Sequence, residues 1–340
     1  MGKRVLVTGA GGFVGANLTR RFLLDGHDVH VLLRPGHDLW RIESILSDLH
    51  VHDADLRDRE SVRATIRRAR PDWIFHMGVY GAYPTQTDVD RIFATNIIGT
   101  ANVLETAVQA GFEAFVNTGS SSEYGFADHA PLENEVLRPN SVYAVSKAAA
   151  SMYCTFAAES RGLPLVTFRL YSVYGPWEEP TRLIPALIEH GRHGRLPPLV
   201  GPETARDFVY VDDVVDAYVA AAECASLRPG AVYNVGSGTS LTLADVVATA
   251  KEVLHVTDEP RWRSMPQRSW DSHVWISDCR LIGHDIGWAA SRDFATGLRE
   301  TADWFEAHPE LFERYRDQVE KSTPTSSESR CPTGHMPSVQ

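Results

Sequence analysis

The feature that most constrains the fold of this chain is a glycine-rich turn between an apolar strand and a helix. Residues 5–15 read Val-Leu-Val-Thr-Gly-Ala-Gly-Gly-Phe-Val-Gly, which places Gly9, Gly12 and Gly15 at regular spacing. Glycines at this spacing permit a tight turn, close approach of the backbone to a pyrophosphate and close packing of helix on strand. The free N–H groups at the start of the helix then face the anion. The stretch therefore predicts a dinucleotide-binding site.

The first half of the chain alternates apolar strands with amphipathic helices, which predicts an α/β fold with a Rossmann-type doubly wound parallel sheet. Strands are predicted at 3–8, 28–33, 48–53, 72–77, 113–118 and 164–170, and helices at 13–25, 58–69, 88–110 and 142–161. This NAD(P)-binding domain is expected to span 1–170 and to receive later segments near 205–236. Frequent proline and glycine over 171–320 predict a smaller C-terminal substrate-binding lobe, and the Ser/Thr/Pro-rich residues 321–340 predict a disordered tail.

Composition excludes several classes of function. The 340 residues carry a formal net charge of -11 and show no basic stripe, so nucleic-acid binding is not expected. The four cysteines lack a metal-type spacing, which predicts reduced thiols and no metal site. No signal peptide or membrane-length apolar run is evident, so we expect a cytoplasmic protein without a membrane partner.

The end of the second predicted strand indicates the type of cofactor. Enzymes that prefer NAD usually place an acidic residue there for the ribose 2′-hydroxyl. This chain has Leu33 followed by Arg34, and an arginine is suited to a 2′-phosphate. We therefore expect NADP to be favoured over NAD, with a solvated arginine as the alternative. Asp55 follows the third strand, where a carboxylate can meet the adenine amine.

A tyrosine, a lysine and a serine form the predicted catalytic set. Tyr143 and Lys147 are four residues apart and so share one helix face. A nearby ammonium group is expected to lower the pKa of Tyr143, which makes the phenol a usable acid and base. Ser120 follows the fifth strand, and ligands bind at the carboxyl ends of strands in such sheets. Its hydroxyl is expected to bond a substrate oxygen and share a proton with Tyr143.

Taken in order, these motifs resemble the extended short-chain dehydrogenase/reductase family, and more narrowly its nucleotide-sugar epimerase/dehydratase branch. The resemblance covers about residues 3–306 and rests on the following positions: Gly9, Gly12, Gly15, Asp55, His76, Asn96, Ser120, Tyr143, Lys147, 169–176, 206–213 and 233–238. It implies a tightly held nicotinamide cofactor, a nucleoside-diphosphate sugar as substrate, and a catalytic role for Ser120, Tyr143 and Lys147. Further cofactor contacts are implied for Phe13, Val14, Leu56, Met77, Gly78 and Asn96. Substrate contacts are implied for Tyr80, Ser121, Ser122, Ser172, Arg182, Arg206, Arg268 and Asp271.

Departures from the family pattern bear on the reaction. The family's 4,6-dehydratases carry acidic residues directly after the catalytic hydroxyl residue, whereas this chain has Ser121 and Ser122 there. A hydroxyl is a poor proton acceptor at neutral pH, so dehydration is disfavoured. Glu123 stands one position late and would need a shifted loop to serve.

Four functions remain open on the sequence alone. The first is an epimerase, most often at C4, in which hydride passes to the nicotinamide and returns to the other face of the sugar. The second is an NADPH-dependent reductase of a 4-keto sugar, and the third is a dehydratase or decarboxylase. The fourth is a non-enzymatic NADP-binding sensor, against which the intact serine, tyrosine and lysine argue.

Surplus apolar positions on two helices predict a homodimer. In the family the corresponding helices pair across a two-fold axis. The positions are Ile92, Ile97, Val103, Leu104, Val108, Val145, Ala149, Met152 and Phe156.

Overall fold

Seven parallel strands form the central sheet in the computed structural model, which describes residues 2–83, 85–265 and 274–322. The strands in chain order are β1 (Arg4–Thr8), β2 (Asp28–Leu33), β3 (His50–Asp53), β4 (Trp73–His76), β5 (Ala114–Ser120), β6 (Leu165–Leu170), β7 (Ser172–Tyr174), β8 (Ala205–Arg206), β9 (Phe208–Tyr210), β10 (Val232–Val235) and β11 (Leu241–Thr242). The sheet order is β10-β6-β5-β4-β1-β2-β3, with β7–β9 and β8–β11 as separate pairs. The predicted Rossmann-type sheet is confirmed.

Helices cover both faces of this sheet and form the region beyond it. They are α1 (Phe13–Leu24), α2 (Arg59–Ala69), α3 (Val89–Phe93), α4 (Gly99–Ala110), α5 (Val142–Arg161), α6 (Leu183–Gly191), α7 (Val211–Glu223), α8 (Leu243–Val253), α9 (Arg280–Ile286), α10 (Phe294–Ala307) and α11 (Phe312–Ser322). The ends of α5 show why its predicted bounds, 142–161, are confirmed. The Ser141 side chain accepts from the Ala144 N–H, and Gly162 ends the helix with φ of 64°.

The alternation of β1 divides its side chains between two cores. Val5 and Val7 pack on the face covered by α1 and α7, whereas Leu6 packs on the face covered by α2, α4 and α5. Both faces are apolar, as a sheet covered on both sides requires. A third apolar cluster joins α6, α8, α10 and α11 beyond the sheet, and residues of β7 and β9 also contribute to it. We propose that this cluster is the core of the expected C-terminal lobe.

The helix predicted at 88–110 is interrupted. Helix α3 passes into a π-helical segment, Ala94–Ile98, before α4 begins. A π-bulge widens one turn, and here it carries Asn96, whose side chain is held by two other parts of the chain. Local periodicity does not register these long-range bonds. The five short strands β7 to β11 were not located by the pattern, although a return of residues near 205–236 to the sheet was expected.

Three further expectations concern the chain as a whole. Within the described ranges, no helix combines the length and the apolar character that crossing a membrane requires. The cysteines at 154, 224 and 279 are free thiols. The expected tail lies outside the described residues except for 321 and 322, which end α11.

Candidate active site

The glycine turn between β1 and α1 is closely packed. Gly9 has φ of 74°, and a Cβ there would lie 2.8 Å from the Gly78 nitrogen. A Cβ at Gly15 would lie 2.3 Å from the Gly9 carbonyl oxygen, to which Gly12 donates a hydrogen bond of 2.9 Å. No side chain of the described residues caps the start of α1, so the N–H groups of Phe13 and Val14 are available to an anion. This cradle fits a dinucleotide pyrophosphate.

The end of β2 presents an arginine to solvent. Leu33 is buried at 4% exposure, so the position that would carry an acidic residue faces the core. Arg34 is exposed, and within the described residues its guanidinium forms no ion pair. Hydrogen bonds from Arg57 lower the pKa of Asp55, and Arg34 acts in the same direction. Arg34 and Asp55 therefore interact electrostatically, at the carboxyl ends of β2 and β3.

A hydrogen-bonded network of three side chains fixes the end of β4, and this network was not predicted from the sequence. The Thr100 hydroxyl donates to the Asn96 carbonyl at 2.6 Å, so it accepts from His76 Nε2 at 2.9 Å. His76 Nδ1 then accepts from the Thr8 hydroxyl at 2.8 Å, and Thr8 Oγ1 accepts from the N–H groups of Met77 and Gly78. Burial lowers the pKa of His76 to about 3 and keeps it neutral. The network orients the two residues expected to line the cofactor.

Asn96 is engaged within the protein. Its amide oxygen accepts from the Tyr80 N–H at 2.9 Å, and its nitrogen donates to the Tyr80 carbonyl at 2.7 Å and to Ser146 at 2.8 Å. With 1% of its surface exposed, the side chain links the loop after β4 to α5. Its expected effect on the cofactor would therefore pass through that loop. Leu56, another expected cofactor contact, packs against Gly78, because a Cβ at Gly78 would collide with the Leu56 side chain.

Ser120, Tyr143 and Lys147 meet where β5 ends against α5. Ser120 begins a short 3₁₀ turn, Ser121–Tyr124, and its hydroxyl lies 2.8 Å from that of Ser122. Ser120 and Tyr143 line the same cavity, and the Ser120 side chain acts to lower the pKa of the Tyr143 phenol. Lys147 is buried and donates to the Thr118 carbonyl. The three predicted catalytic residues are brought together.

The expected lowering of the tyrosine pKa is not what this structure shows. Desolvation raises the pKa of Tyr143 to about 12, and the effect of the Ser120 side chain only partly opposes this rise. The Lys147 ammonium is directed at a carbonyl, and burial lowers its own pKa. The phenol is therefore protonated at neutral pH and can act as a hydrogen-bond donor in this state.

Glu123 is part of the buried frame. Its carboxylate pairs with Arg169 Nε at 2.9 Å, accepts from the Ser151 hydroxyl at 2.9 Å and accepts from the Ser120 N–H at 2.9 Å. The Glu123 side chain is 0% exposed and that of Arg169 is 5% exposed. These bonds hold the loop that carries Ser120, and they leave Glu123 poorly placed to exchange protons with a ligand.

A cavity of about 680 Å³ opens beside Tyr143. Of the expected substrate contacts, Ser121, Ser122, Ser172, Arg182 and Arg206 border it. Tyr80 is not among the described residues that line it; instead Arg91 stacks on its ring at 4.3 Å. Tyr83 borders the cavity in its place, because the loop held by Asn96 turns between the two. The expected contacts Arg268 and Asp271 lie outside the described residues.

A buried aspartate positions Arg206. Asp207 is 0% exposed and accepts hydrogen bonds from the backbone N–H groups of Ser237, Gly238 and Ser277. Its neighbour Arg206, on β8, faces the cavity and lies over the Trp275 ring at 5.4 Å. A guanidinium with an aromatic face beside it is suited to the phosphates and base of a nucleotide.

A strained turn carries a buried carboxyl group at the cavity wall. Trp177 has φ of 69°, which is unusual for a bulky residue and costs of order 1–3 kcal/mol. Arg41 holds the Trp177 carbonyl at 2.7 Å, and Tyr315 holds the Glu178 carbonyl at 2.8 Å. Glu178 borders the cavity, and its Oε2 lacks a hydrogen-bond partner among the described residues. Burial raises the pKa of Glu178 to about 8, although Arg182 opposes the shift.

This shift predicts a pH dependence of stability. Because the pKa of Glu178 is raised on folding, the folded state holds a proton that the unfolded chain releases between pH 4.5 and about 8. The free energy of unfolding therefore falls across this window, by at most about 1.4 kcal/mol per pH unit. Glu178→Gln should gain stability over wild type as pH rises, measured by urea unfolding at several pH values. A constant difference, or an equal change in the exposed variant Glu159→Gln, would contradict the shift.

The fold and site define a dinucleotide-binding α/β protein with a serine–tyrosine–lysine set beside a ligand cavity. Residues 5–236 match the NAD dependent epimerase/dehydratase family. The chain belongs to this family, within the extended short-chain dehydrogenases/reductases, and takes an NAD(P)-type cofactor.

Similar proteins within this family have two kinds of activity in their names. The chain is 29% identical to the UDP-glucose 4-epimerase of Mycolicibacterium smegmatis, with 89% of this chain and 98% of the relative covered. It is 28% identical to the dTDP-glucose 4,6-dehydratase of Streptomyces griseus, with 92% and 97% covered. Among solved structures, the UDP-glucose 4-epimerase of Thermus thermophilus in complex with NAD gives a TM-score of 0.78 at 29% identity, covering 89% of this chain and 98% of that one.

Proposed function

We propose that this protein is a nucleotide-sugar epimerase that oxidises a sugar hydroxyl, at C4, to a ketone and reduces it again on the opposite face. The observation that carries the proposal is the state of the loop after β5. In the turn Ser121–Tyr124, which begins this loop, the one carboxylate is that of Glu123, and it is bonded to Arg169, Ser151 and the Ser120 N–H, while Ser121 and Ser122 face the cavity. The loop thus offers hydroxyl chemistry without the acid–base pair that dehydration uses.

The proposed roles follow from the positions of the side chains. A nicotinamide cofactor at this site would supply the acceptor and donor of the hydride that leaves the sugar carbon and returns to it. In the oxidation step Tyr143 would act as the phenolate, a form that a nearby ammonium group such as that of Lys147 favours, and would take the proton of the reacting hydroxyl; in the reduction step it would return that proton. Ser120 would hydrogen-bond the same substrate oxygen. Lys147, held at the Thr118 carbonyl, has further N–H groups for the cofactor ribose. Gly9, Gly12, Gly15, Phe13 and Val14 would hold the pyrophosphate, and Arg34, Asp55, Leu56, Met77 and Gly78 would surround the rest of the cofactor.

The substrate we propose is a nucleoside-diphosphate sugar. UDP-glucose and dTDP-glucose, named for the relatives, are of this class. Arg206 would bind its nucleotide or diphosphate end, because its charge borders the cavity beside Trp275 in a chain of net charge -11. Arg182, which also borders the cavity, lies over the Tyr83 ring at 5.6 Å and would approach the sugar with Ser172.

The second candidate is an NADPH-dependent reductase of a nucleotide-linked 4-keto sugar, and Arg34 favours it. NADPH supplies reducing equivalents, and an exposed guanidinium without an ion pair in the described ranges is suited to the 2′-phosphate. The Thermus thermophilus UDP-glucose 4-epimerase was solved with NAD, so a preference for NADP is a proposal about this chain alone.

Arg34→Asp should weaken NADP binding by about tenfold or more, because it removes a charge-assisted hydrogen bond worth about 1.5–3 kcal/mol and adds repulsion. Affinity for NAD should change much less. Calorimetric titration of both cofactors measures the effect. Arg67→Asp, an equal change of charge at an exposed position of α2, is the control. Equal NADP affinity in wild type and Arg34→Asp would show that Arg34 does not contact the phosphate.

Analysis of the cofactor in the purified protein separates the two candidates. Denaturation releases any retained cofactor for mass spectrometry. An epimerase regenerates its cofactor in each cycle, so we expect oxidised cofactor at about one per chain. A reductase must exchange spent cofactor, so a protein that releases none and consumes free NADPH with a keto sugar would support the reductase instead.

We also propose a homodimer, built on α5 and on α3 with the π-helical segment after it, where Val89, Phe93 and Ile98 are exposed. Of the apolar positions named from the sequence, Ile92, Val103 and Leu104 are buried inside the chain and were wrongly assigned to an interface. Met152 and Phe156, in contrast, are 65% and 64% exposed, with Val145 on the same face of α5. These apolar side chains form a stripe that a second copy would cover.

Met152→Lys should convert the dimer to a monomer, because it places a charge in the apolar contact. Light scattering at micromolar concentration measures the mass. Leu24→Lys, at a position 85% exposed on α1, is the control and should stay dimeric. A monomeric wild-type protein would contradict the proposed contact.

A further inference from the structure

Four polar side chains share one face at the edge of the sheet. His30 of β2 pairs in register with His50 of β3, which is the edge strand. Asp28 lies two residues before His30 on β2, and His52 lies two residues after His50 on β3. Because alternate side chains of a strand point to the same face, all four lie on one side. They stand at the beginnings of β2 and β3, away from the strand ends where the proposed active site is built.

The side chains of Asp28, His30 and His50 have the spacing of metal ligands. His50 Nε2 lies 3.1 Å from Asp28 Oδ1, and His30 Nε2 lies 3.5 Å from Asp28 Oδ2. One ligand atom from each residue can be chosen so that all lie within 4.8 Å of one another. A tetrahedral Zn²⁺ ion with bonds of about 2.0–2.2 Å separates its ligand atoms by about 3.3 Å. The two histidine-to-aspartate separations, 3.1 and 3.5 Å, lie on either side of that value.

His52 supports the ligand that is buried. Its Nε2 lies 2.9 Å from His30 Nδ1, so either ring can donate to the other. When His30 donates from Nδ1, the lone pair of its Nε2 is directed toward Asp28. This is the arrangement in which a second residue orients a metal-bound histidine.

We infer that Asp28, His30 and His50 bind one divalent transition-metal ion of the Zn²⁺ class, with water in the remaining position. Two imidazoles and one carboxylate suit Zn²⁺, whereas Mg²⁺ and Ca²⁺ prefer oxygen ligands. The His30 and His50 rings stack with their centroids 4.6 Å apart, so binding requires the exposed His50 ring to rotate until the lone pairs of both rings point at one ion beside Asp28. The ion would fasten edge strand β3 to β2 and so stabilise the strands whose far ends carry Arg34 and Asp55.

Zinc titration of tag-free protein tests this inference, independently of the proposed enzymatic function. Calorimetry should show one Zn²⁺ per chain, with no corresponding binding of Mg²⁺. Asp28→Asn and His50→Ala should each weaken Zn²⁺ binding at least tenfold, and His52→Gln should weaken it by about tenfold through the supporting contact. Zn²⁺ should also raise the melting temperature of wild type more than that of Asp28→Asn.

His284→Ala is the matched control, because His284 is exposed and contacts only one carboxylate, Asp285, among the described groups. It should bind Zn²⁺ as wild type does. Asp28 and His50 are both exposed, and circular dichroism of their variants checks that the fold is retained. A wild-type protein that binds Zn²⁺ no better than Asp28→Asn overturns the site. Equal, tight binding by wild type and both ligand variants also overturns it, because the ion would then bind elsewhere.

Discussion

Tyr143→Phe should lower kcat by about 10²–10⁴-fold while cofactor binding and melting temperature stay close to those of wild type. In the proposed reaction the phenol exchanges the proton of the reacting hydroxyl, and general acid–base catalysis contributes a factor of about this size. The phenylalanine ring can still pack against the cavity wall. Steady-state turnover of a nucleotide sugar, with cofactor content measured in the same preparation, reports the effect.

Tyr153→Phe provides the control for this experiment. Tyr153 lies on the same helix, and its hydroxyl donates to Glu105 rather than facing the cavity. Its loss should leave kcat within a few-fold of wild type. Near-normal turnover of Tyr143→Phe would remove the tyrosine from the chemistry and, with it, the proposed catalytic set.

Glu123→Gln should destabilise the protein by about 3–5 kcal/mol. The substitution leaves the Arg169 guanidinium buried without its opposing charge, and breaking one side of a buried pair has a cost of this size. Tyr124 and the Glu133 carbonyl still accept from Arg169, so the arginine cannot leave its site easily. Urea unfolding measures the free energy difference.

The matched variant Glu159→Gln breaks the exposed pair with Arg228 and should cost less than about 1 kcal/mol. If Glu123→Gln were as stable as Glu159→Gln and lost only activity, Glu123 would be a catalytic group rather than part of the frame. That outcome would favour dehydration and weaken the epimerase proposal.

Short-range sequence patterns predicted the elements whose structure depends on residues close together in the chain. The glycine turn, the sheet and the bounds of α5 follow from spacing, alternation and caps within a few residues. Tyr143 and Lys147 share a helix face for the same reason. The resemblance added the order of the motifs, from which Ser120, Ser172 and Arg206 were placed at one cavity.

Contacts between distant residues could not be predicted in this way. Glu123 and Arg169 are 46 residues apart, and only the fold shows that they form a buried pair. Asn96 bonds the backbone of Tyr80 from 16 residues away, and Tyr83, not Tyr80, borders the cavity. Apolar helix positions face either the sheet or solvent, and a single periodicity does not distinguish Leu104 from Met152.

Product analysis tests the central claim most directly. The purified protein, with its retained cofactor and no added reductant, is incubated with UDP-glucose and, separately, with dTDP-glucose, and the products are followed by nuclear magnetic resonance and mass spectrometry. We predict that at least one sugar is converted to its C4 epimer at unchanged mass and without net change of the cofactor. A product that has lost water, or turnover that requires stoichiometric NADPH, would contradict the epimerase assignment.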